Sequence, residues 1–195
     1  KPIFFEGLAM KRFSVLITSA LVSATLAMTF VATSNVATAS KDARLPKNYN
    51  STFTLKHGSI AASDATVTYT DLGEPGASVA DLRTFYIPLT SVGRFGSSGY
   101  LSATLETVAV NKPTAGIELR QGNLTFVVNS LKNQIVVGGL AEYNTTNAVL
   151  DIGVPVRRPV LGGTGLFTGA TGWCVSIHKA NDTWEHRFYL RVDRG

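Results

Sequence analysis

The chain has 195 residues, enough for one domain with a sizeable core, and 18 Lys and Arg against 13 Asp and Glu give a formal net charge of +5 at pH 7. The basic residues are scattered, with Lys11-Arg12 and Arg157-Arg158 as adjacent pairs, so no nucleic-acid partner is expected. A single cysteine, Cys174, excludes an intramolecular disulfide.

In chain order, residues 1–9 read as an upstream remnant outside the fold. Met10 is followed by Lys11-Arg12, an apolar run from Phe13 to Ala32, and Ala37-Thr38-Ala39. That is a charged region, an apolar region and a small-residue site, the layout of a secretory signal peptide cleaved after Ala39. The rival is an uncleaved membrane helix, since the run is long enough to span a bilayer. Ser14, Thr18, Ser19, Ser23, Thr25 and Thr29 dilute its hydrophobicity and favour cleavage. The expected product is secreted or periplasmic, with no stable membrane insertion once the leader is gone. Residues 40–64, with Lys, Asp, Asn and Pro, read as a flexible leader holding a possible short strand at Phe53 to Leu55, ahead of a domain over 65–195.

From there the pattern is β throughout. Runs rich in Thr, Val, Ile, Tyr and Phe, bounded by Gly, Asn, Pro and Asp, predict strands at Ala65 to Leu72, Leu82 to Leu89, Tyr100 to Val110, Gly116 to Leu131, Gln134 to Tyr143, Val156 to Leu161, Gly172 to Lys179 and Thr183 to Val192. Turns at 131–134 and 180–182 predict two hairpins, and no stretch has clean helical periodicity. An all-β chain with about eight closely spaced strands predicts a barrel or a sandwich, with sequential strands antiparallel. His178 and His186 flank the second hairpin but read as strand residues, so no metal is expected, and no other cofactor either.

The stretch RRPVLGGTGLFTGATGWCVSIH, residues 157–178, runs into a strand and has no Gly-Lys-Ser/Thr ending. A phosphate-binding loop needs a helix N-terminus after its glycines, so these mark a sheet corner instead. GGTGLFTGATG resembles the Gly-Gly-Thr-Gly-x-Phe pattern of plant dirigent proteins and the Gly-Gly-Ser-Gly-Ile-Phe segment of allene oxide cyclases. Asn133 to Gly139 resembles the strand those families place before this corner, Phe188 to Arg191 resembles their closing strand, and Gly73 with Ser78 to Leu82 resembles the LGDL region of allene oxide cyclases. The resemblance covers residues 65–193. It implies an eight-stranded antiparallel barrel around an apolar cavity, commonly trimeric in the plant members, so a homotrimer or homodimer is expected. An eight-stranded barrel has room for one small ligand.

Alternation along strands groups the candidate residues. Tyr69 and Asp71 share a face, as do Glu118 and Arg120, while Glu106 and Arg83 interrupt apolar strands. Ionisable groups turned into a barrel are partly desolvated and suited to acid-base work. Asp71, Glu106 and Arg120 are therefore the catalytic candidates; Tyr69, Arg83, Tyr86, Glu118, Phe126, Phe188 and Tyr189 are the ligand-binding ones. The resemblance implies the same chemistry, since dirigent proteins orient phenoxy radicals or quinone methides with pocket Asp, Arg and Tyr. Allene oxide cyclases use a carboxylate and an amide on the first strand and a cysteine on the third. Here TYTDLGE lacks that pair and YLSATLETV lacks the cysteine, which argues against that activity itself. The expected function is binding of a hydrophobic or aromatic small molecule in the lumen and steering of its cyclisation or stereoselective coupling, an isomerase-type reaction without a cofactor. The alternative is a non-catalytic carrier or an oligomeric structural barrel.

Overall fold

The computed structural model describes residues 49–61, 64–96, 98–147 and 149–192, all within the compact unit Asp42–Gly195. The segments expected to be an upstream remnant, a signal peptide cleaved after Ala39 and the start of a leader lie outside the described residues. Among the described residues no helix is long and apolar enough to cross a membrane.

Nine strands follow one another: β1 (Ser51–His57), β2 (Thr66–Thr70), β3 (Leu82–Ser91), β4 (Gly99–Val110), β5 (Ile117–Val128), β6 (Ser130–Asn144), β7 (Val156–Gly163), β8 (Thr171–His178) and β9 (Trp184–Arg191). Single 3-10 turns at Gly93–Phe95 and Gly165–Phe167 are the helical structure of the described chain. From β3 to β9 each strand pairs antiparallel with the next, β1 pairs with β9, and β1 returns to β3. Eight strands thus close an antiparallel barrel, as the sequence predicts, and β2 is a ninth outside the closure.

The assignment of the first stave differs from expectation. The strand foreseen at Ala65 to Leu72 is β2, which pairs with β3 alone and leaves all five of its side chains exposed. The stave is β1, which runs seven residues rather than three and joins β9 along its whole length, from Ser51↔Leu190 to His57↔Trp184. The barrel therefore starts at Ser51, ahead of residue 65. β1 and β2 share one edge of β3: β2 takes Leu82 to Tyr86, and β1 takes only Leu89 and Ser91, with a bulge at Lys56/His57. A seam results where the two part.

Inward side chains divide the barrel into two ends. At one, Phe53, Phe95, Phe167, Phe126 and Phe188 form a continuous aromatic cluster, with Phe53 stacked on Phe188 at 4.9 Å and Phe126 edge-on to Phe188 at 5.1 Å. The glycine corner between β7 and β8 seals this end. Thr164 donates to the Gln134 and Lys132 carbonyls, Phe167 is buried, and Gly165 has φ +58° in a place where a Cβ would collide with the Lys132 backbone. Leu166, next to Phe167 in the corner, is exposed. Continuing along the same strands, the inward positions turn polar: His57 on β1, Arg83 on β3, Thr107 on β4, Glu118 and Arg120 on β5, Tyr143 on β6, Arg158 on β7, Ser176 and His178 on β8, and His186 on β9. A bulge on β4 between Thr107 and Ala109, opposite Arg120, lies at this polar end.

The first hairpin turns at Asn129, φ +62°, and the chain from 131 to 133 loops out before pairing resumes at Val127↔Gln134. The second hairpin closes as predicted, with Lys179 and Thr183 bonded across residues 180–182.

Candidate functional site

The polar end is organised around a buried carboxylate. Glu118, 1 % exposed, accepts from the fully buried Arg120 guanidinium and from the Thr107 hydroxyl at 3.1 Å, and lies 4.0 Å from Arg83. Arg83 also donates to Thr107 at 3.3 Å and stacks over the Tyr69 ring at 4.6 Å. Arg120 lies 4.1 Å over the Tyr143 ring and reaches the Asn147 carbonyl. Burial, offset in part by Glu118, pulls Arg120 below the usual arginine range. Two cations held on one anion in a desolvated position make a rigid assembly, since removing a partner leaves an uncompensated buried charge.

Asp81, fully buried, anchors the loop between β2 and β3. Burial works against its charge, but the Ser78 and Leu72 amides and the Tyr69 and Ser78 hydroxyls all donate to it, and its carboxyl is held down at about 2. Desolvation of its hydroxyl, together with this bond and the Asp81 charge, raises the Tyr69 phenol.

Deeper in the lumen the wall carries near-parallel rings. His178 stacks on Trp184 at 4.5 Å, Trp184 on His57 at 5.6 Å, and His57 on His186 at 5.2 Å. His178 faces the Leu150 carbonyl with Nδ1 and the Asp182 carboxylate with Nε2, each at 2.9 Å. His57 donates from Nδ1 to the Gly58 carbonyl at 2.7 Å, so its neutral ring keeps a lone pair on Nε2. Burial lowers His57 and, more strongly, His186, so both are neutral at pH 7. His186 Nδ1 is 2.9 Å from Ser176 Oγ, and Ser176 is 4.0 Å from the Cys174 sulfur, whose thiol burial pushes up to about 12. The described residues form no group of three or more His, Cys, Asp or Glu placed to hold a metal.

His57, Ser176, Trp184 and His186, with Arg158 and Tyr143, face an inner cavity of ≈ 60 Å³, whose apolar side is formed by Ile87, Leu101, Ala103, Leu105 and Leu124. A second cavity of ≈ 390 Å³ reaches out past Val67, Tyr69 and Arg83, beside the seam. Ile60, Phe85 and Val149 line both. The outer space matches the size of small-molecule sites, and the inner one holds only a ligand's end.

Of the predicted residues, Arg120, Glu118 and Arg83 come together at this end, with Tyr69 beside them on β2 and exposed. Phe126 and Phe188 point inward but belong to the aromatic end. Asp71 is exposed just past β2, and Glu106, Tyr86 and Tyr189 lie on the outer face. Glu106 is flanked by inward Leu105 and Thr107, so it turns out; Tyr86 precedes inward Ile87, and Tyr189 packs on Trp173 outside. Residues not foreseen are His57, Asp81, Tyr143, Arg158, Ser176 and His186. The signal for Arg158 was its two-residue spacing from Val156 and Val160.

No protein family matches the chain by sequence, and no curated protein does either. Solved structures do match it. A pyocyanin demethylase is 21% identical with TM-score 0.55, covering 72% of this chain and 99% of that one. A pterocarpan synthase dirigent protein is 12% identical with TM-score 0.51, over 72% and 86%. The chain has the dirigent-type barrel fold. A Diels-Alderase from Streptomyces koyangensis shares it at 13% identity and TM-score 0.52, covering 73% of this chain and 64% of the other. At these identities the likeness speaks for the dirigent-type barrel and not for chemistry.

Proposed function

We propose that this barrel binds an apolar, planar small molecule through the polar end and holds it in a conformer that favours cyclisation or coupling. The observation that carries the reading is a pair of adjoining cavities that share Ile60, Phe85 and Val149, one of ligand size and the other a lumen with an apolar wall opposite a polar one. The barrels of like fold include a dirigent protein and a Diels-Alderase, which supports a role in steering ring formation. Rate enhancement would come from orientation and water exclusion. His57 Nε2, neutral and lumen-facing, is the group placed to take a proton, and the Glu118 assembly positions Arg83 at the rim. The proposal includes export, on the strength of the leader read at 10–39.

Fluorescence of the neutral probe N-phenyl-1-naphthylamine tests the binding step. Wild type is expected to enhance it saturably, and Ala103→Phe, which fills the inner cavity, to abolish the enhancement while the fold persists. Equal behaviour of the two proteins would sink the lumen as the site. Saturable binding with no conversion of any cyclisable substrate would make the barrel a carrier.

A further inference from the structure

The barrel holds one more buried cation than it neutralises. Among the described residues the buried acids are Asp81 and Glu118. Glu118 is committed to Arg120 and Arg83, and Asp81 to Tyr69, Ser78 and the Leu72 amide. Arg158, 3 % exposed, is left with the Tyr143 hydroxyl at 2.9 Å, a neutral partner, and has no ion pair among the described residues. Its Nε has no hydrogen-bond partner. Trp184 Nε1 and His186 Nε2, on residues 6 % and 2 % exposed, share that condition, and all three side chains wall the inner cavity. Buried donors left unsatisfied, and an uncompensated buried charge above all, are costly enough that folds rarely retain them without use.

The donor character of the set follows from the row behind it. Ser176 Oγ lies 2.9 Å from His186 Nδ1 and 4.0 Å from the Cys174 sulfur, and with its hydroxyl turned to His186 it donates to Nδ1. The neutral imidazole then carries its hydrogen on Nε2. Gly122 on β5, two strands from β7, borders the guanidinium: a Cβ there would touch Arg158 Nε at 3.5 Å and press on Leu105 at 3.1 Å.

We infer that the inner cavity is a carboxylate seat and that the molecule taken up is an organic acid with an apolar body. Arg158 supplies the charge, while Trp184 Nε1–H and His186 Nε2–H supply directed donors. The body lies along Phe85, Ile60 and Val149 into the outer cavity. This rests on the lumen reading above and adds the chemical class of the ligand.

Competition against N-phenyl-1-naphthylamine with 2-naphthoate and its neutral isostere 2-naphthamide tests it. A charge-assisted contact predicts naphthoate competing at roughly tenfold lower concentration. In Arg158→Met, which keeps the volume, the two competitors become equal while the neutral probe still binds. Trp184→Phe keeps the ring and loses the donor; it weakens naphthoate a few-fold and leaves naphthamide unchanged, a readout that stands even if the Arg158 variant fails to fold. Equal competition by the two ligands in wild type, or a naphthoate preference that survives Arg158→Met, overturns the carboxylate seat and leaves the lumen reading intact. Absence of probe fluorescence together with absence of binding heat for naphthoate overturns both.

Discussion

The two ends of the barrel are cut from the same strands and obey the same alternation, yet they solve opposite problems. At the aromatic end, five phenylalanines and the glycine corner fill the interior, so shape and apolar area do the stabilising. At the polar end, the same inward positions carry Arg, Glu and His, whose burial opposes folding unless each charge is paired. Stability is thus concentrated at the aromatic end, which frees the other to hold groups a core would reject.

Substitutions can break this division, beginning with the most severe. Gly165→Val places a β-branched side chain at φ +58° against the Lys132 carbonyl, and Gly163→Val drives one into Phe167; both are expected to give no cooperative thermal transition by circular dichroism. A stable, folded but inactive variant would show that the corner is part of the site. Phe188→Ala, in the middle of the aromatic cluster, is expected to cost about 3–5 kcal/mol by urea denaturation, with probe binding retained by the folded fraction. Glu118→Ala belongs to the other end and is expected to cost about 3–5 kcal/mol, because it strands Arg120 and Arg83. The double variant Glu118→Leu, Arg120→Met should recover most of that loss, and if it is no more stable than Glu118→Ala, pairing is not what Glu118 contributes.

A smaller effect is set by pH. The Asp81 carboxyl is depressed from the ordinary 3.8 to about 2, so its stabilisation is complete above about pH 4 and is lost as the pH falls toward 2. The melting temperature of wild type should decline through that window, and that of Asp81→Asn should be lower at neutral pH and decline less. The least effect is expected outside the barrel, where Glu106→Ala and Tyr86→Ala should each shift stability by about 0.5 kcal/mol or less and leave probe binding as it is. A loss of binding in either would place chemistry on the outer face.

The fold was legible because the strands from β4 onward write their alternation openly. YLSATLETV places Leu101, Ala103, Leu105 and Thr107 on one side, and that spacing is what the barrel uses. The first stave was obscured because two of its inward residues, Ser51 and His57, are polar, so the segment reads as leader. β2 misled in the opposite sense, since Thr-Val-Thr-Tyr-Thr has strong strand character and its placement depends on how β1 and β2 divide one edge of β3. Within the site, Glu118 and Arg120 were found because they keep step with Leu124 and Phe126, whereas Arg158 hid in the pair Arg157-Arg158, which reads as solvated charge. Asp71 and Glu106 have the chemistry of site residues, and strand phase, in the case of Glu106, or the end of a strand, in the case of Asp71, separates them from the interior.

The seam has a consequence for how the molecule breathes. Every other junction of the barrel is a ladder of several paired residues, but β1 meets β3 only at Lys56↔Ser91 and His57↔Leu89, with a bulge between. Local opening follows the fewest hydrogen bonds, so amide protons at His57 and Leu89 should exchange with solvent well before those of β5 and β6. The zip that closes the cylinder ends on His57, which lines the inner cavity, and the rate at which those amides exchange clocks how often the wall parts there.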